Sequence, residues 1–148
     1  MIDKKIIEQA IAEDGKYVTI TRGISMRPLF KEKRDTVILL PPNGRLKKYD
    51  VPLYRRGDEY VLHRVIKVLP DSYIIRGDNC VKKEYGISDK DIICVLDSFY
   101  RGEKFHTVRE LSYRIYSAFI VFVHPLVWLR LKVKAYGRAI LRRLHLVK

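Results

Sequence analysis

Tyr60-Val61-Leu62-His63-Arg64-Val65-Ile66-Lys67-Val68-Leu69 is the stretch whose reading decides the fold. β-Branched and aromatic residues dominate it, and these pack well on a pleated, half-buried surface. As one regular strand it puts Val61, His63 and Val65 on one face and sends Arg64 to the other. Pro70-Asp71-Ser72 then turns the chain into Tyr73-Ile74-Ile75-Arg76, and Gly77-Asp78-Asn79 makes another turn. The pattern continues on both sides. Residues 17–21 and 36–40 read as strands, and residues 51–55 as a third, placed at a sheet edge by Pro52. Residues 91–100 are strand-like and end at Arg101-Gly102-Glu103. Short strands separated by regular turns predict a mainly β domain. A helix over residues 3–13 precedes them, with Asp3 as N-cap and Ile6, Ile7, Ala10 and Ile11 on one face.

The chain has 148 residues, enough for one compact domain with a short appendage. Its net charge of +13 implies an anionic partner and says nothing about fold. That charge is uneven, because residues 111–148 carry eight Lys or Arg and no Asp or Glu. Cys80 and Cys94 form neither a Cys-x-x-Cys pair nor a disulfide framework, and read as free thiols of a reducing compartment. The His and Cys spacing fits no zinc site, so no metal or other cofactor is expected. Residues 1–9 lack the apolar core of a secretory signal, and the same segment is not expected to anchor a membrane. A cytoplasmic or peripheral membrane location follows as the expectation.

The character changes near residue 108, which divides the chain into residues 1–108 and a tail, 109–148. Residues 115–129 are nearly all apolar, but 15 residues fall short of the roughly 17–25 of a spanning helix. Beyond them, Leu126, Leu129, Val133, Tyr136, Ile140 and Leu144 keep helical spacing, while Arg130, Lys134, Arg138 and Arg142 occupy other faces. With Trp128, these basic residues make a candidate membrane-surface helix. The alternative is a helical hairpin packed on the β domain with its basic face solvated.

Three short motifs carry the chemistry. Gly23-Ile24-Ser25-Met26-Arg27-Pro28 is a turn, and a lone serine there is inert without a base. His63 is a candidate base, since an ordinary imidazole titrates near ~6.5. Gly77-Asp78-Asn79 alone reads as a turn whose polar side chains bond their own backbone. In this order and spacing the three resemble type I signal peptidases and, more distantly, the self-cleaving repressors of the SOS response. His63 at the base position is similar to the endoplasmic-reticulum and archaeal enzymes, whereas bacterial ones carry Lys there. The likeness spans about residues 15–100. It implies a signal-peptidase-like, β-rich catalytic domain with a short N-terminal helix and a basic helical tail.

The resemblance implies Ser25 as nucleophile, His63 as general base and an acid that orients the imidazole. Glu84 matches the acid's position, and Asp78 is its rival. Two features depart from the family. Tyr49-Asp50-Val51-Pro52 stands where a Gly-Asp is usual, and Gly23 stands where some members have a hydroxyl that helps bind the oxyanion. The oxyanion would then rest on backbone N–H groups, including that of Ser25. The implied function is a serine endopeptidase acting on leader- or signal-like peptides, held extended along a sheet edge. The alternatives are a self-cleaving regulator and an inactive binding protein on the same fold. Peptide substrate and an anionic membrane surface are the expected partners, and nucleic acid is not.

Overall fold

Alternating burial along two segments builds the centre of the larger sheet. β2 (Thr36–Leu40) buries Val37 and Leu39, and β8 (Ile92–Arg101) buries Ile92, Cys94, Leu96, Ser98 and Phe99. In the computed structural model, which describes residues 4–145, α1 (Lys4–Asp14) leads into β1 (Tyr17–Ile20). The side chains of residues 4–6, 8, 134–135 and 138–145 lie outside that description, as does the expected N-cap Asp3. β3 (Pro52–Arg56) and β4 (Glu59–Leu62) complete an antiparallel sheet in the order β1-β2-β8-β3-β4. A second sheet joins β5 (Arg64–Val68), β6 (Tyr73–Arg76) and β7 (Glu84–Ile87). β9 (Lys104–Thr107) folds back on β8, and α2 (Leu111–Phe122) and α3 (His124–His145) follow. The protein is mainly β, with a curled antiparallel sheet.

Two cores follow from the two sheets. Ile7 of α1, Met26, Phe30, Val37, Leu39, Leu53, Leu96 and Phe99 fill the larger one. Tyr54, Val65, Tyr73 and Ile75 fill the smaller. Burying a side chain of this kind contributes about 1.5–3 kcal/mol. Ile75→Ala would therefore remove one of the main contacts of the smaller core.

Several sequence expectations change. Residues 60–69 are not one strand, because the chain switches sheets at His63. Leu62 pairs with Leu53, and the next partner is Pro52, which accepts from the His63 N–H but has no N–H to return. The ladder stops there, and Arg64 begins a new pairing with Arg76 on β6. Val61, His63 and Val65 therefore do not share one strand face, and Arg64 is fully buried. Nor is β3 at an edge: it lies between β8 and β4, and Pro52 is tolerated as the first residue of the strand. β7 and β9 have no counterpart in the sequence reading.

The tail forms two helices. The apolar run at residues 115–129 bends by 58° between α2 and α3. His124-Pro125 opens the new helix, where proline's missing N–H costs nothing. Tyr113 of α2 packs in the larger core and Ser117 accepts from Arg64, and Ile120 is buried as well. Along α3, Leu126, Trp128, Leu129, Val133 and Tyr136 are exposed, as is Arg130. The Lys134, Arg138 and Arg142 side chains lie outside the described residues. Among the described residues, no single helix is long and apolar enough to cross a membrane.

Candidate active site

The loop bearing Ser25 is anchored on both sides. Met26, Leu29 and Phe30 are buried in the larger core. The Thr21 hydroxyl donates to the carbonyls of Lys31 and Asp35, at 3.0 and 3.1 Å. The buried Asp35 carboxylate accepts from the N–H groups of Lys31 and Gly102, at 2.7 and 3.1 Å. The ends of the loop are thereby tied to the sheet, and Ser25 is left half-buried on a turn.

Residues 77–79 then hold the loop close to His63. The Asn79 N–H donates to the Ser25 carbonyl at 2.8 Å, and its side-chain amide donates to the Ile24 carbonyl at 3.1 Å. A Cβ on Gly77 would lie 2.7 Å from the Ser25 carbonyl oxygen and 2.9 Å from Cδ2 of His63. Only glycine lets the serine loop and the imidazole both pack this closely against the turn. Neither role was drawn from the sequence, where Gly-Asp-Asn reads as a turn with self-bonded side chains.

His63 ends up buried at the seam between the sheets. Its Nδ1 lies 3.0 Å from Oε1 of Glu84 and 3.2 Å from the Tyr54 hydroxyl. A carboxylate can only accept, so Nδ1 carries the proton and Nε2 keeps the lone pair that a base needs. Burial lowers the His63 pKa below its ordinary value, although the Glu84 charge opposes the shift and Arg56 adds to it. The imidazole is therefore neutral at neutral pH. Tyr54 is fully buried, and burial together with Glu84 raises its pKa, so it acts only as a neutral hydroxyl. A strand tyrosine carries no sequence signal of such a role.

Of the two candidate acids, Glu84 meets His63, and it also pairs with Arg56 at 3.3 Å. Asp78 takes another place. Its carboxylate accepts two parallel 2.8 Å bonds from Arg64 and a third, 3.0 Å, from the Tyr116 hydroxyl. Burial alone would lower the Arg64 pKa, but the Asp78 pair more than offsets it and the guanidinium stays charged. Arg64 also donates to the Tyr49 carbonyl and to Ser117, at 3.1 and 2.8 Å. Asp78 is thus a positioning residue that locks the site's turn to α2.

An apolar cleft of about 630 Å³ opens beside Ser25. Ile20, Met26, Leu39, Leu53, Tyr60 and Leu62 line it, with Arg22 and Glu59 on its rims. It runs between β1 and β4, the two ends of the curled sheet. Among the described residues, neither Ser25 Oγ nor the Ser25 N–H has a hydrogen-bond partner. Neither is tied up by another group of the described residues. No protein-family model matches this chain, and comparison with curated proteins and with solved structures finds no match.

Proposed function

We propose that this chain is a serine endopeptidase of the signal-peptidase type that cuts leader- or signal-like peptides. The observation that carries this is the Glu84–His63 contact at 3.0 Å, on a ring whose other edge packs at Gly77 beside Ser25. Ser25 Oγ attacks the peptide carbonyl carbon while Nε2 of His63 takes the hydroxyl proton. The Ser25 N–H stabilises the oxyanion. As the C–N bond breaks, imidazolium returns the proton to the leaving amine. Water, deprotonated in turn by His63, then releases the acyl group from Ser25. The substrate lies extended in the cleft, pairing with the outer edge of β1 or β4, and the apolar lining takes its side chains.

The same reading holds the enzyme at an anionic membrane surface through α3, whose exposed apolar residues stand beside Arg130 and Lys132. The decisive test is peptide cleavage by purified Ser25→Ala and His63→Ala variants with matched melting curves. Each should abolish cleavage, and the double variant should be no worse than either single one, because members of a catalytic unit are not additive. An active Ser25→Ala variant overturns the mechanism. Cleavage confined to the chain itself, at a rate independent of concentration, would favour a self-cleaving regulator instead.

A further inference from the structure

A second groove, of about 930 Å³, lies away from Ser25, between the β5–β6–β7 sheet and the bend from α2 to α3. Arg76 forms part of its wall and is only 6% exposed. Its Nε is buried with no hydrogen-bond partner among the described residues. Neighbouring Asp78 is already occupied by Arg64. Lys67, Lys82 and Lys83 also line the groove and are exposed, and among the described residues no Asp or Glu lines it. Burial lowers the Arg76 pKa, only partly opposed by Asp78, so the guanidinium sits where its charge is poorly compensated.

The groove is built rather than incidental. His124 is buried at the first position of α3, and its Nε2 donates to the Cys80 carbonyl at 2.8 Å. That bond pins the helical bend to the turn after β6. The outer lip is apolar: Phe122 is 84% exposed and Trp128 41%. Leu126 and Leu129 continue the apolar surface along α3 at 67% and 54% exposure.

We propose that this groove is a headgroup site for an anionic phospholipid, its phosphate against Arg76 and the rim lysines and its acyl chains along the α2–α3 bend. A phosphate has enough acceptor oxygens to engage a guanidinium and two ammonium groups together. The exposed apolar lip beside the cationic wall matches an amphiphile and has no use for a free anion. The proposal rests on the membrane-surface reading of α3 but not on the peptidase chemistry.

Trp128 is the only tryptophan in the chain and lines the groove, so its emission reports occupancy. The full chain is titrated, at constant ionic strength, with dihexanoyl phosphatidic acid, dihexanoyl phosphatidylcholine and inorganic phosphate. Phosphatidic acid should give a saturable change, with phosphate about tenfold weaker and phosphatidylcholine without effect. Arg76→Leu should weaken phosphatidic acid about tenfold, Arg76→Lys less, and Ser25→Ala not at all. Unchanged affinity in Arg76→Leu overturns the site. If that variant does not fold, unchanged affinity in both Arg76→Lys and a Lys82→Gln/Lys83→Gln double variant overturns it. Equal affinity for phosphate alone overturns the lipid assignment. Sedimentation with phosphatidic acid/phosphatidylcholine vesicles separates the two readings: vesicle binding without saturation by the short-chain lipid retains the α3 surface and removes the groove. The absence of both removes both.

Discussion

Arg64 and Arg76 face each other across β5 and β6, and both are buried, yet their surroundings differ completely. Arg64 meets Asp78, the Tyr49 carbonyl and Ser117, with Tyr113 and Tyr116 rings 5.7 Å from its guanidinium carbon. The first half of α2 closes over it through Tyr113, Tyr116 and Ser117. Arg76 lines an open groove under the second half of α2 and the start of α3. The same residue type on paired strands thus serves two ends. A satisfied guanidinium fixes one arrangement of the surrounding elements, while an unsatisfied one keeps a site ready for an anion.

The largest expected effect lies at the Glu84–His63 contact. Glu84→Gln should lower the cleavage rate roughly 10⁴-fold, since the imidazole loses its tautomer and its compensating charge. Glu84 raises the His63 pKa against the burial that lowers it. Its removal therefore lowers that pKa further, and His63 stays neutral to lower pH. The acid limb of the residual rate profile should move down in pH, and an unchanged or raised limb would remove Glu84 from the site.

Next comes the closed network itself. Arg64→Met leaves the Asp78 carboxylate buried and unpaired, which should cost about 3–5 kcal/mol of stability. Arg76→Leu removes a buried cation that has no ion pair among the described residues, so its melting temperature should equal or exceed that of the wild type. Equal losses in the two variants would erase the contrast between the arginines. His63 adds a pH dependence to both melting curves. Its lowered pKa means the unfolded chain takes up a proton first as pH falls. Its contribution is complete above the ordinary imidazole range and is lost as pH drops through that range towards the lowered folded value.

The smallest effect tests the turn that joins the two regions. Gly77→Ala puts a methyl group against the Ser25 carbonyl and the His63 ring. A displacement of about 1 Å should lower kcat about 10²-fold. The Arg64–Asp78 pair would survive, and the melting temperature should fall less than in Arg64→Met. A fully active Gly77→Ala variant would mean that the serine loop and the base need not meet at that turn.

Much of the molecule was legible in the chain. The strands at residues 36–40 and 73–76 followed from β-branched runs bounded by turn residues, and α1 and α3 from helical spacing. The resemblance to type I signal peptidases implied Ser25 and His63 as nucleophile and base, and left Glu84 and Asp78 as rival acids. The strand and helix signals are local, carried by periodicity and turn chemistry, and the site assignments rest on the resemblance. The tertiary structure alone decided what depends on partners distant in sequence. Whether residues 60–69 form one strand or two was set by Pro52, which cannot return the hydrogen bond it receives from His63. Which acid faces the imidazole was set by Arg64, which draws Asp78 into a buried pair and leaves Glu84 on β7 to reach Nδ1. Hydrophobic periodicity assigns a side chain to a face but not to a sheet or a partner, and ion pairs between separate strands leave no periodic trace.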